Sequence, residues 1–392
     1  MNDMTPIALH AGADQPLNPS RRGFLGASLG ALALGIALPG GASAQGSPPA
    51  ITPGTRVSAF LEIRPDNTVL FRSAFIEGGQ GIYTGLAQIV GEELDVDPAQ
   101  FVVEAAPPGP DYLVMNGRRI TGGSNSMRSS YEPMRRLGAA ARQMLLQAAA
   151  TRLGVPAAEL ATEPGHVVHA ASGRTLAYGE LAGAAADLPV PTEVVLRSRA
   201  EFRWIGKPVA RIDVPDKSTG KARYTIDLAV EGMLHGAVQH ARRLGMEPAS
   251  IANEDQVRAM PGVHSVHKLP GAVAVVANSW WRARRAAEAL QVTWTEPAPG
   301  TANAMPGDFS SEARRAALAA ASGDGIAAES FGDVDGALRT AAQVIESTYH
   351  APYLAHAQLE PPAALARWNE DGTLELWTPN QAPDVFQGLA AK

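Results

Sequence analysis

Two glycine-rich turns stand close together near the front of this chain. Glu77-Gly78-Gly79-Gln80-Gly81 precedes an apolar-periodic stretch over Thr84–Leu94. Thr121-Gly122-Gly123-Ser124-Asn125-Ser126 precedes a second over Ser130–Ala149. Glycine lets backbone N–H groups approach a bound group, and a helix start offers unpaired N–H donors to an anion. Gln80, flanked by glycines, can donate and accept at once through its amide. Gly122, Gly123, Ser124 and Ser126 combine open backbone with hydroxyls, a mixture that suits phosphate oxygens. Together the two corners make a candidate cradle for a phosphate-bearing cofactor. Taken singly, each also reads as a plain turn or a capping loop with no ligand.

Other chemistry has less to stand on. Neither G-x-G-x-x-G nor G-x-x-x-x-G-K occurs in the right context, and there is no G-x-S-x-G elbow. On a helix, His356 and Glu360 would share a face and could bind a metal. Pro361-Pro362 follows at once and no second His completes H-E-x-x-H, so a hydrogen-bonded pair competes with ligation. His264 and His267 fall in a strand pattern and read as incidental.

The 392 residues suffice for two or three domains, and 45% hydrophobic with 18% charged residues predicts a globular core. A net charge of −6 carries no electrostatic footprint for nucleic acid. There is no cysteine, which excludes disulfides, thiolate zinc sites, a cysteine nucleophile and cysteine-ligated iron–sulfur clusters within this chain. Redox chemistry would need a non-protein group, with electrons leaving through another polypeptide.

Positioning the two turns calls for the following elements. Strands are predicted at Arg56–Ile63 and Thr68–Ala74 around Pro65-Asp66-Asn67, and at Phe101–Glu104. The helix after the second turn takes Ser129 or Ser130 as N-cap, has Pro133 in its first turn, and stops at Gly154. Residues 206–297 read as a separate α/β module. Its strands are expected at Tyr224–Ile226, Met233–His240, Val263–Lys268, Val273–Ala277 and Gln291–Trp294, with helices at Asn253–Met260 and Trp280–Leu290. Trp280 and Trp281 are expected to pack on one side only. Residues 298–330 read as a surface connection. Leu374–Trp377 is a strand, and Asp384–Lys392 starts a helix in which the sequence ends, which suggests a missing remainder.

Residues 1–44 read as an address. Ser20-Arg21-Arg22-Gly23-Phe24-Leu25 is a twin-arginine signal, followed by an apolar run to Leu38 and a small-x-small cleavage site at Ala42-Ser43-Ala44. The run is too short for a transmembrane helix of about 20 residues. A mature start at Gln45, a periplasmic location and a linker over 45–55 are expected.

These pieces resemble the molybdopterin-binding large subunit of the xanthine dehydrogenase and aldehyde oxidase family, of the exported isoquinoline 1-oxidoreductase beta-subunit type. The matching runs are Glu77–Thr84 with Glu92-Glu93-Leu94-Asp95-Val96-Asp97, then Thr121–Arg128, then Gly206-Lys207-Pro208 with Arg211–Gly220, and last His356–Pro361 with Trp377–Gln381. The resemblance implies an α+β fold in which molybdopterin-binding segments, 56–200 and 331–392, flank an a/b hammerhead domain at 206–297. It places Gly79, Gln80, Gly81, Gly122, Gly123, Ser124, Ser126 and Gln381 at the cofactor. That cofactor would be molybdenum-molybdopterin, with a cytosine dinucleotide form as one variant. The metal is held by the pterin and not by protein ligands. The implied activity is hydroxylation of an N-heterocyclic aromatic, or oxidation of an aldehyde, with water as the oxygen source. Electrons would pass to a small 2Fe-2S iron–sulfur subunit and on to an acceptor such as a cytochrome c. Gly78 stands where the family usually has methionine. The family's glycine-rich segment and late catalytic glutamate have no counterpart here, so no catalytic residue is assigned and the chain alone is expected to be inactive. Two rivals remain: a non-catalytic periplasmic binding or assembly protein of the same fold, and a metal-dependent hydrolase built on His356 and Glu360.

Overall fold

The Pro65-Asp66-Asn67 turn sits between two strands as its residues suggest. Asn67 takes the left-handed conformation, with φ 67°, and Asp66 Oδ1 accepts the Thr68 amide at 2.9 Å. The structure is a computed structural model that describes residues 7–10, 31–36, 51–53, 60–107, 110–113, 119–321, 325–326 and 328–392. The chain divides into two units, Met1–Leu228 with Glu360–Lys392, and Ala229–Leu359.

The first unit contains β1 (Ile7–His10), β2 (Leu32–Ile36), β3 (Ile51–Pro53), β4 (Leu61–Ile63), β5 (Val69–Ser73), α1 (Ile82–Leu94), β6 (Phe101–Ala105) and α2 (Ser126–Leu153). It continues with β7 (Ala161–Glu163), β8 (His166–His169), β9 (Arg174–Ala177) and α3 (Tyr178–Ala186). A five-stranded sheet runs β3-β2-β4-β5-β6, and β7-β8-β9 is an antiparallel meander. Only β5 and β6 in the large sheet are parallel, and α1 is the crossover that parallel pairing requires. Leu86, Val90 and Leu94 of α1 join Met134, Leu137, Ala141 and Leu145 of α2 in one core with Leu61, Ile63 and Phe71 of the sheet. Both helices show the i, i+3, i+4 apolar stripe that packs a helix on a core. They meet closely at Gly138, where a Cβ would lie 2.5 Å from the Val90 carbonyl oxygen.

The second unit contains β10 (His235–His240), β11 (Glu247–Ile251), β12 (Val263–Leu269), β13 (Ala272–Ala277), α4 (Trp280–Ala289), β14 (Val292–Thr295), α5 (Ser311–Ala320) and α6 (Val334–Thr340). Its sheets run β10-β13-β12 and β11-β14, all antiparallel. Val266, Val273 and Val275 pack against Ala286, Ala287 and Leu290 in a separate core. The chain then returns to the first unit with β15 (Leu365–Trp368), β16 (Thr373–Trp377) and α7 (Pro383–Ala390), in a sheet ordered β1-β16-β15.

The α+β class is as expected, and several local expectations are corrected. Helix α2 starts at Ser126, with Asn125 at the N-cap, so Pro133 lies in its interior. Ser130, Pro133 and Met134 are buried on its core stripe, and that burial overrides the propensity signal. Thr225–Asp227 forms one tight 3-10 turn in place of a strand at Tyr224–Ile226. Strand β11 was missed because Pro248 interrupts it; the register shifts between Pro248 and Ser250. Residues 298–330 hold helix α5, capped by Ser310 Oγ accepting the Ala313 amide. Trp280 and Trp281 are 51% and 59% exposed, and Arg284 and Arg285 lie over their rings. No helix forms over 341–364, so His356 and Glu360 share no helical face, and the basis for the hydrolase reading is gone.

The twin-arginine residues 20–25 and the cleavage site 42–44 lie outside the described residues. Leu32 and Leu34, inside the apolar run of that address, are buried in the first unit's core on β2. No helix among the described residues is long and apolar enough to cross a membrane.

Candidate functional site

The first glycine-rich turn is closed by its own carboxylate. Glu77 Oε1 accepts the amides of Gly79 at 2.8 Å and Gly81 at 2.9 Å, and Oε2 accepts that of Tyr83 at 3.2 Å. Gly79 and Gly81 both take positive φ, 104° and 86°, which brings their N–H groups round to one carboxylate. The Gln80 side chain folds back over the turn. Its Oε1 accepts the Gly78 amide at 2.6 Å, and its Nε2 donates to the Ile76 carbonyl at 2.9 Å. Gln80 is exposed, and its amide keeps one N–H and one lone pair beyond these bonds. The glycine amides of this turn are therefore spent inside it, and Gln80 carries what the turn can offer a ligand.

The second turn is different. Gly123 and Ser124 are consecutive left-handed residues, with φ 63° and 53°, ahead of the 28-residue helix α2. Successive N–H groups in such a conformation form an anion-binding concavity. The amides of Gly122, Gly123 and Ser124 donate to no protein atom among the described residues. Ser126 opens the helix, whose first-turn amides lack intrahelical acceptors. A Cβ at Gly79 or Gly123 would meet no atom within 4 Å, so both turns face open space. Hydroxyls, free amides and a helix start fit a phosphate-bearing group at this second turn.

Thr121 brings the segments together. Its Oγ1 accepts the Ile76 amide at 2.8 Å, and its own amide donates to the Gln381 carbonyl at 2.8 Å. Asn380 shapes the third segment. Its Oδ1 accepts the Ala382 amide at 3.0 Å, so Gln381 sits on a tight turn between β16 and α7 with its side chain exposed. Beneath the junction, buried Arg119 donates from Nε to the Ala74 carbonyl at 3.0 Å. Burial pulls the Arg119 guanidinium below its ordinary value. Burial likewise raises the Asp384 carboxyl, offset in part by the Arg119 charge, and Asp384 Oδ2 is buried with no hydrogen-bond partner among the described residues. Burial pushes the Tyr83 phenol up to about 12.

The far end of α1 holds the approach to the site. Glu92, Glu93 and Asp95 are fully buried. Glu92 accepts the amides of Arg203, Trp204 and Ile205 at 2.9, 2.7 and 2.9 Å. Glu93 accepts the Arg197 amide at 3.0 Å and Arg135 Nε at 2.8 Å. Asp95 takes Arg197 Nη2 at 2.9 Å and Arg203 Nη1 at 2.7 Å. This clasp pins residues 197–205, and the chain then runs back along α1 to Arg211, whose Nη1 donates to the Gly79 carbonyl at 2.8 Å.

Thr121 thus ties the turn that holds Gly122, Gly123, Ser124 and Ser126 to Ile76, just ahead of Gly79, Gln80 and Gly81, and to Gln381. Glu77, Thr121, Arg119, Asp384 and Arg211 were missed as site residues. Glu77, Thr121 and Arg211 stand inside the matching runs, and Glu77 and Thr121 carry acceptors suited to closing a turn; nothing in the spacing reveals Arg119 or Asp384. Among the described residues no group of three His, Cys, Asp or Glu side chains is arranged to hold a metal ion.

Residues 25–229 and 320–392 match two family models, each described as a molybdopterin cofactor-binding domain. The chain is similar to a nicotinate dehydrogenase subunit of Pseudomonas putida, 32% identical over 90% of this chain and 29% of that protein. It is similar to the isoquinoline 1-oxidoreductase beta-subunit of Brevundimonas diminuta, 30% identical over 95% of this chain and 53% of that protein. A third relative, 30% identical over 97% of this chain and 50% of its own length, is the membrane-bound aldehyde dehydrogenase (pyrroloquinoline-quinone) of Gluconacetobacter polyoxogenes. The chain therefore spans about half, or less, of the length of these relatives. Three motifs meeting at Thr121, in a chain matched over more than half its length, place it in a family: the chain belongs to the molybdopterin cofactor-binding domain family, as found in molybdenum-binding subunits of the xanthine dehydrogenase type.

Proposed function

We propose that this chain is the molybdopterin-binding part of a molybdenum-dependent oxidoreductase that hydroxylates an N-heterocyclic aromatic or oxidises an aldehyde with water as the oxygen source. The carrying observation is the junction at Thr121, which joins both glycine-rich turns and the Gln381 turn by direct hydrogen bonds. When bound, the cofactor supplies the two-electron redox centre, with its metal held by the pterin. Gly122, Gly123, Ser124 and Ser126 bind the phosphate end with free amides and hydroxyls. Gln80 offers its remaining N–H and lone pair from the facing turn, and Gln381 closes the third side. Residues 206–297 are read as the a/b hammerhead module, and electrons as leaving to a 2Fe-2S subunit. Export by the twin-arginine route to the periplasm is part of the same reading, and N-terminal sequencing of the mature protein tests it: a start at Gln45 would support it. A mature protein that retains Leu32–Ile36 opposes it.

The test is molybdenum and pterin per chain in protein purified from its native host with its neighbouring gene products. A near-stoichiometric value of both supports the proposal. Bound pyrroloquinoline quinone without molybdenum replaces it with the chemistry named for the third relative. Folded protein with neither group makes the chain a non-catalytic binding or assembly protein.

A further inference from the structure

Residue 79 has the least constrained backbone in the first turn: a glycine at φ 104°, exposed, with no atom within 4 Å of where a Cβ would stand. Such a residue should let the turn, and Gln80 with it, wander. The peptide groups around it are nonetheless held from two sides. Glu77 Oε1 takes the Gly79 amide at 2.8 Å. Arg211 Nη1 donates to the Gly79 carbonyl at 2.8 Å, and Arg211 Nη2 stands 3.5 Å from the same Glu77 oxygen.

Arg211 is itself aimed. Asp213 takes its Nε at 2.9 Å and its Nη2 at 2.5 Å, a two-pronged pairing that fixes the plane of the guanidinium and leaves Nη1 for Gly79. Lys217 Nζ donates to Asp213 Oδ2 at 2.6 Å and steadies the carboxylate. The Ile212 amide donates to Thr84 Oγ1 at 3.1 Å and docks the segment on the first turn of α1.

We propose that Arg211 is a positioning residue: by bridging the Gly79 carbonyl and Glu77, it fixes the turn from which Gln80 addresses the cofactor. The effect on the cofactor rests on the function proposed above; the effect on the turn does not. A lysine carries its three donors on one nitrogen and cannot reproduce the two-pronged pairing with Asp213 while a separate nitrogen reaches Gly79, so the fork is required and not only the charge.

The test compares wild type, Arg211→Ala and Arg211→Lys as full chains. Hydrogen exchange is followed over 77–84 and over α2, and molybdenum and pterin are measured per chain. Both variants are expected to exchange about tenfold faster at 77–84 with α2 unchanged, the scale of a lost charge-assisted hydrogen bond. Their molybdenum and pterin should fall together. Unchanged exchange at 77–84 in Arg211→Ala overturns the inference whatever the cofactor content. Wild-type exchange and loading in Arg211→Lys overturns the claim for the fork. Faster exchange at α2 as well makes Arg211 a general stabiliser and also overturns it. If wild type carries no molybdenum while exchange responds as stated, the proposed function fails and the placement of the turn by Arg211 stands.

Discussion

The amide of Thr121 and the carbonyl oxygen of Gln381 lie 2.8 Å apart, joining the second glycine-rich turn to the turn after β16. The same threonine takes the Ile76 amide on Oγ1. One buried residue therefore sets the separation of three loops whose tips are exposed. Rigid positioning by a few residues beneath exposed, chemistry-bearing tips is how loop-built sites keep their geometry.

Thr121→Val preserves shape and removes the Oγ1 acceptor. The Ile76 amide then loses its partner, which should cost about 1–3 kcal/mol. Thr121→Ser keeps the acceptor and should lose about one buried methyl, near 0.8 kcal/mol. Urea unfolding of both variants measures the difference. No loss in Thr121→Val beside a loss in Thr121→Ser would mean that Thr121 acts by packing alone.

Gly138→Ala tests the spacing of the two turns from the opposite end. A Cβ there would sit 2.5 Å from Val90 O and 3.2 Å from Glu93 Cβ, so α1 and α2 must separate. Overpacking of this kind costs about 1–3 kcal/mol. Each helix carries one glycine-rich turn at its N-terminal end, so cofactor retention should fall along with the unfolding midpoint. Gly154→Ala is the control. Gly154 has φ 68° at the end of α2, and a Cβ there meets nothing within 4 Å. It should destabilise through backbone strain while leaving the spacing of the turns intact.

Local signals in the sequence were sufficient for the parts that local physics decides. Asp66-Asn67 announced its hairpin, Gly154 its helix stop, and the Leu86, Ile89, Val90, Leu94 stripe its buried face. The two glycine-rich turns were visible as turns. Their interior was not: the amides expected to face a ligand at Gly79 and Gly81 are taken by Glu77. The contacts that assemble the site, Arg211 to Gly79 and Thr121 to Gln381, join segments far apart in sequence and follow no period. The displaced start of α2 was missed because an interior proline argues locally against what the chain does, whereas helix α5 was legible: Ser310 is a capping residue and the alanine-rich run after it favours a helix.

Glu92→Gln should be among the most damaging single changes. Its fully buried carboxylate accepts three backbone amides and faces Arg197. An amide group in its place turns an NH2 toward at least one of those donors and leaves Arg197 under-compensated. Breaking a buried charge pair of this kind costs about 3–5 kcal/mol. Denaturant unfolding measures the loss, and proteolysis should open the chain at 197–205, which this carboxylate holds. A loss under about 1 kcal/mol, with no new cleavage, would show that the segment is held by its arginines alone.

Acid should loosen the Arg211 segment through Asp213. Burial alone would raise the Asp213 carboxyl, but hydrogen bonds from Arg211 and Lys217 outweigh it and hold it down at about 2, against an ordinary 3.8. A carboxyl lowered by folding contributes stability that is fully present above its unfolded value and lost as pH falls through its folded one. That contribution should therefore be complete above about pH 4 and disappear toward pH 2. Asp213→Asn removes the titration, so the stability gap between variant and wild type should be widest above pH 4 and narrow as pH drops to 2. Hydrogen exchange over 77–84 should follow the same window, because Asp213 reaches that turn only through Arg211. A gap that stays constant from pH 5 to pH 2 would mean the ion pair contributes nothing pH-dependent, and that Arg211 is held in place by its bonds to Gly79 and Glu77.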